Sequence, residues 1–113
     1  TECEVIRHLA EREDCIIVGR CANYVLRDYE HCFHVYLYAP YDDCINTIMN
    51  RYSLDEKKAE HLIRRVDKDR DYYYNYYTDE YREDMENYDL CLNTSAYSKE
   101  EILDILQFFY QKL

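Results

Sequence analysis

Residues 15–20, Cys15-Ile16-Ile17-Val18-Gly19-Arg20, carry an unbroken apolar run into a glycine and then a cation. A run without polar alternation suits a strand covered on both faces, as in a parallel sheet wrapped by helices. The pattern changes on either side of it. Upstream, Val5, Ile6 and Leu9 recur at helical spacing and predict a helix over Glu2–Glu13. Downstream, Arg20–Arg27 reads as a short helix. Phe33–Ala39, rich in aromatic and branched residues, reads as a second strand. Pro40 is tolerated in a first helical turn, and Tyr41–Tyr52 follows as a helix turning Ile45, Ile48 and Met49 inward.

Ser53 and Glu56 have the spacing of a capping box for a long helix running towards Tyr77, with Ala59, Leu62, Ile63 and Val66 as its apolar seam. An acidic connection spans Thr78–Asn87. Tyr88–Asn93 reads as a third strand and Asn93-Thr94-Ser95 as a loop. Ser98 and Glu101 form a second capping-box pattern, opening a last helix that turns Ile102, Leu103, Leu106 and Phe109 inward. Strands alternating with helices predict one α/β domain over residues 1–113, with a mostly parallel sheet of three strands flanked by helices.

Composition narrows the function classes. With 113 residues, 48% hydrophobic and 34% charged, the chain suits one globular domain. Its net charge of -10 disfavours nucleic acid and anionic membrane as partners, because polyanions repel it. No apolar run is long enough to cross a bilayer, and no signal-peptide pattern opens the sequence. A single Gly leaves no material for a glycine-rich phosphate loop. The six cysteines include no C-x-x-C pair, so free thiols and a cytoplasmic location are expected. His31-Cys32-Phe33-His34 offers metal-capable side chains without a second ligand cluster, and no metal site is expected.

Charge placement points to an anion. Between positions 51 and 70 stand seven basic residues (Arg51, Lys57, Lys58, Arg64, Arg65, Lys68, Arg70) against five acidic ones, a net of +2 within a chain of -10. Arginine suits phosphate because its planar fork makes paired hydrogen bonds and never loses its charge. The same charges also fit a solvated helix face with pairs such as Glu60–Arg64 and Arg65–Asp69. Arg20 follows the first strand, at the carboxyl end where open α/β sheets bind ligands. Tyr72-Tyr73-Tyr74-Asn75-Tyr76-Tyr77 suits packing or an interface, or stacking on a base.

Taken together, C-I-I-V-G-R-C-A-N-Y-V-L-R-D, H-V-Y-L-Y-A-P, R-R-V-D-K-D-R-D-Y-Y-Y-N-Y-Y-T and Y-D-L-C-L-N-T-S resemble the cytidylate kinase-like proteins among the P-loop nucleoside-monophosphate kinases. The resemblance runs the length of the chain and fits the C-terminal part of such a domain. It implies a partial P-loop kinase three-layer fold with a long helical lid over about residues 53–78. It implies that Arg20 contacts a bound monophosphate, with Asp67 and Asp69 also on the substrate side. Arg65 and Arg70 would be the catalytic lid arginines, neutralising charge as the phosphoryl group moves. Asn93, Thr94 and Ser95 would lie beside the base of ATP. ATP and Mg²⁺ are expected for the complete protein and neither is expected to be held tightly by this stretch. A small-molecule nucleotide is the expected partner.

The sequence departs from the family pattern in three places. Cys21 stands where an acid follows Gly-Arg, and Tyr72 stands where the lid motif ends in Arg. No G-x-x-x-x-G-K-S/T occurs, nor the strand that precedes it. That strand would lie between Cys15–Gly19 and Phe33–Ala39. The expectation is therefore a portion of a longer chain, inactive in transfer by itself, its sheet completed by an N-terminal segment or by a homodimer partner. The rival expectation is a non-catalytic, kinase-derived interaction module using Tyr72–Tyr77.

Overall fold

The computed structural model describes residues 1–113. Helix α1 (Glu2–Arg12) opens with a capping box in which the Thr1 side chain accepts from the Glu4 amide. A short α2 (Ala22–Val25) follows, then strand β1 (Val35–Tyr38), α3 (Tyr41–Tyr52) and the 23-residue α4 (Glu56–Thr78). A single 3-10 turn, Met85–Asn87, leads to β2 (Leu90–Asn93), and α5 (Lys99–Tyr110) closes the chain. The architecture is mixed α/β, with a two-stranded parallel sheet flanked by helices. Val35 pairs with Leu90 and Tyr38 with Asn93, so α3 and α4 form the crossover between neighbouring strands.

The expected third strand is absent. Cys15–Val18 adopts no regular structure and makes no hydrogen bond through its backbone. Ile17 packs beside Ile6, Ala22, Val25 and Leu26, while Ile16 and Val18 are 82% and 86% exposed. An apolar run signals burial, but a strand also needs a neighbour to take its N–H and C=O groups, and none lies alongside. The two remaining strands are shorter than the sequence suggested, because pairing covers only four residues of each.

Two other boundaries differ. Ser53 does not cap α4. It ends α3 in the left-handed conformation, φ 53°, and Asp55 takes the cap instead, accepting from the Lys58 amide at 2.8 Å. The helix expected over Arg20–Arg27 contracts to four residues because Arg20 and Cys21 both have positive φ. At Ser98 the second capping box forms as expected, with Glu101 reaching back to the Ser98 amide at 2.9 Å.

The core is thin and divided. Ile6, Ala22, Val25 and Leu26 join α1 to α2, and Ile45, Ala59 and Ile63 join α3 to α4. No residue of α5 is fully buried, and Leu103 is exposed, although Phe109 stacks on Phe33 at 4.6 Å. The radius of gyration is 15.7 Å, against about 13 Å for a compact domain of this length. No helix is long and apolar enough to cross a membrane.

Candidate functional site

Gly19, Arg20 and Cys21 form a run of left-handed backbone, with φ of 74°, 59° and 56°. Only the first is free of the Cβ clash this region imposes, and each of the others costs on the order of 1 kcal/mol or more. The run throws the chain off the end of Cys15–Val18 and presents the exposed Arg20 side chain to solvent. Its one ion pair is a 3.9 Å contact to Glu2, solvent-exposed on both sides. Such a pair is weak, so the guanidinium is available to an anion. The neighbouring Cys21 thiol is pushed up by burial and then by Cys3 and Glu2, which keeps it protonated and unreactive at neutral pH.

The second half of α4 comes to this turn. Glu2 links the two elements, because the Tyr73 hydroxyl donates to Glu2 Oε2 at 3.1 Å while Arg20 faces Glu2 Oε1. Arg70 is one helical turn before Tyr73. Arg65 stands eight residues before it, about 12 Å away along the axis. Arg65 and Arg70 are exposed and carry no ion pair. Asp69 is likewise exposed, whereas Asp67 faces Arg82 at 3.8 Å. The structure thus brings Arg20 to the turn after Arg70 and leaves Arg65 further up the helix.

The Asn93–Ser95 loop is fixed at the carboxyl end of the sheet. The Thr94 amide and hydroxyl both donate to Tyr38 O, at 2.8 and 3.1 Å, and the Ser95 amide donates to Asn93 Oδ1 at 2.9 Å. A polar cleft of about 210 Å³ is lined by Asn23, Tyr24, Arg27, His34, Glu80, Glu86, Asn87, Tyr88 and Asp89. None of Arg20, Arg65 or Arg70 lines it. His34 and Asp89 immediately precede β1 and β2, so the cleft opens towards the amino ends of the strands, and His34 N donates to Asp89 Oδ2 at 2.7 Å.

Sequence reasoning missed the group that ties α4 to the sheet. Arg82 Nε donates to Asp71 Oδ1 at 2.8 Å, and its side chain is only 19% exposed. Burial alone would lower its pKa. Its hydrogen bond to Asp71 and the negative charges of Asp71 and Asp67 outweigh that, so the cation is firmly held. The Tyr88 hydroxyl donates to Arg82 O at 2.7 Å, and the Tyr88 ring stacks on Tyr36 of β1 at 4.9 Å. One signal was available, since Arg82 is the lone basic residue between Asp71 and Ser98. A single cation among many acids is a candidate for internal pairing.

Residues 1–96 match the cytidylate kinase-like family. No curated protein matches the chain. Among solved structures, an uncharacterized protein from Eubacterium ventriosum ATCC 27560 superposes with a TM-score of 0.88 at 25% identity. The alignment covers 99% of this chain and 64% of that one, so the chain spans under two thirds of its neighbour's length.

Proposed function

The chain belongs to the cytidylate kinase-like family, and from that premise we propose that it supplies the acceptor-phosphate contact and the lid of a nucleoside-monophosphate kinase. The whole protein would transfer a phosphoryl group from ATP to a nucleoside monophosphate. The observation that carries this reading is the strained turn Gly19-Arg20-Cys21. Two consecutive non-glycine residues, Arg20 and Cys21, stand in the left-handed region at the position to which the family resemblance assigns the monophosphate contact. Strain of that kind persists where position matters more than stability. Arg20 is the phosphate contact, with Arg70 delivered by the adjoining stretch of α4. Arg65 completes the pair only if the helix moves.

The strand arrangement supports the same reading. In a P-loop kinase sheet the fourth and fifth strands are neighbours, and a further strand separates them from the third. Here β1 pairs with β2, and Cys15–Val18 stands apart from both. The 113 residues contain no G-x-x-x-x-G-K-S/T and no cluster of His, Cys, Asp and Glu arranged for a cation. ATP and Mg²⁺ belong to the proposal for the whole protein. A reducing, cytoplasmic setting, in which the six cysteines stay free thiols, belongs to the same proposal.

Titration calorimetry with CMP, dCMP, UMP and AMP tests the phosphate contact, and an ADP-release assay on the complete protein tests transfer. Heat with one monophosphate, abolished by Arg20→Ala, is expected. Silence with all four at millimolar concentration counts against the reading. A specific observation favours a second reading, an interaction module: Tyr72, Tyr76 and Tyr77 are 71%, 67% and 62% exposed on one end of α4. Under that reading the complete protein binds no nucleotide, and substituting these three tyrosines abolishes its association with a partner.

A further inference from the structure

Asp67 and Asp71 are four residues apart and so share one face of α4. Both turn to the same cation, Arg82, at 3.8 and 2.8 Å. Arg82 in turn is fixed to the sheet side of the molecule. Its carbonyl accepts from Tyr88, which stacks on Tyr36 of β1. The connection around it is braced as well. Asn75 Nδ2 donates to Glu80 O at 3.3 Å, and Asn87 Nδ2 donates to Tyr81 O at 3.0 Å. A two-carboxylate face of a helix is thereby tied to the sheet side of the molecule by one guanidinium.

Contacts at positions four apart restrain the rotation of a helix about its own axis, here in addition to its buried face of Ala59, Ile63, Tyr74 and Thr78. At about 100° per residue, Arg64 and Arg70 flank the Asp67 direction by about 60° on either side, and Arg65 points about 160° away. All three arginines are exposed, so the roll of α4 sets the direction in which each is presented.

We propose that Arg82 is a positioning residue that restrains the roll of α4 and, with it, the direction in which Arg70 and Arg65 are presented beside the Gly19–Cys21 turn. The tie is read directly from the structure. Its consequence for phosphate binding rests on the nucleotide reading above.

Hydrogen exchange followed by mass spectrometry separates the two. In Arg82→Ala, amides of residues 64–78 are expected to exchange about tenfold faster, with α1 and α3 unchanged. Asp71→Asn should reproduce most of the effect, and Arg82→Lys should restore part of it. The double variant Arg82→Ala/Asp71→Asn should be no worse than Arg82→Ala alone. High salt should speed exchange of 64–78 in the native chain and not in Asp71→Asn, a response that a packing role would not give. Unchanged exchange in 64–78, or an equal rise in α1, α3 and α4, overturns the proposal. If Arg82→Ala does not fold, Asp71→Asn and the salt response decide on the same terms. Calorimetry with CMP, dCMP, UMP and AMP on the same variants reports the nucleotide reading separately. Absence of heat in the native chain defeats that reading and leaves the exchange result standing.

Discussion

The Asn23 side-chain amide donates to the Tyr74 hydroxyl at 2.8 Å, joining residues 51 apart in sequence. It fastens the helix after the strained turn to the buried ring of α4, which is 4% exposed. Asn23 has one other contact, a long one of 3.5 Å to Asn87 O. Tyr74→Phe keeps the ring and removes the partner, so a loss of about 1 kcal/mol is expected. Tyr74→Ala empties the site as well and should cost about 3–5 kcal/mol. Denaturant midpoints of the two variants check this. Equal losses would mean that the ring contributes nothing beyond the hydroxyl.

At the turn of residues 19–21, stability and the proposed phosphate binding should move in opposite directions. Cys21→Gly removes a Cβ clash at φ 56° and should stabilise by up to about 1 kcal/mol, less the extra freedom glycine gives the unfolded chain. Arg20→Gly relieves the same strain at φ 59° and should also raise the melting temperature. Under the nucleotide reading it also removes the proposed phosphate contact, so monophosphate affinity should fall at least about tenfold, the cost of one charge-assisted contact. Thermal melts paired with calorimetry distinguish the outcomes. Retained affinity in Arg20→Gly would assign the phosphate to another cation.

Much of this was legible in the sequence where the determinants are local. Helix α3 occupies Tyr41–Tyr52 as the spacing of Ile45, Ile48 and Met49 demands, and Ser98 with Glu101 caps α5 as the pattern requires. What failed was non-local. Residues 15–18 carry every local mark of a buried strand, but pairing depends on a neighbour that sequence spacing does not place beside them. The Ser53–Glu56 spacing matched a cap, but Leu54 N bonds back to Met49 O at 3.2 Å, committing Ser53 to the end of α3. Arg82 was submerged in an acidic connection because its partners, Asp67 and Asp71, lie on another element. Arg20 was legible as a site candidate from Gly19 beside it, while the strain at Cys21 was visible only in the backbone.

The apolar run itself yields a test. Ile16 and Val18 face solvent, and Ile17 packs against the first core cluster. In the 113-residue chain, Ile16→Ser/Val18→Ser should change stability by no more than about 0.5 kcal/mol and raise solubility, because an exposed apolar pair favours association. Ile17→Ser should be clearly more destabilising. Sedimentation and denaturant titration report both quantities. A large loss from the double variant would show that these side chains are covered in solution.

Tyr36, Tyr74 and Tyr88 give the fold an alkaline limit. Burial is the largest cause of the upward pKa shift at each, and for Tyr88 the charges of Tyr74 and Tyr36 add to it. Below the ordinary tyrosine value of about 10, all three are neutral in both folded and unfolded chains, and their contribution is fully present. Above it the unfolded chain releases protons that the folded chain still holds, so stability falls as pH rises. Tyrosinate absorbance and far-ultraviolet circular dichroism, recorded through one alkaline titration, should show the last tyrosines ionising together with the loss of helix. Complete ionisation with a fully native dichroism signal would mean that the Tyr36–Tyr88 stack and the buried Tyr74 ring open to water without unfolding.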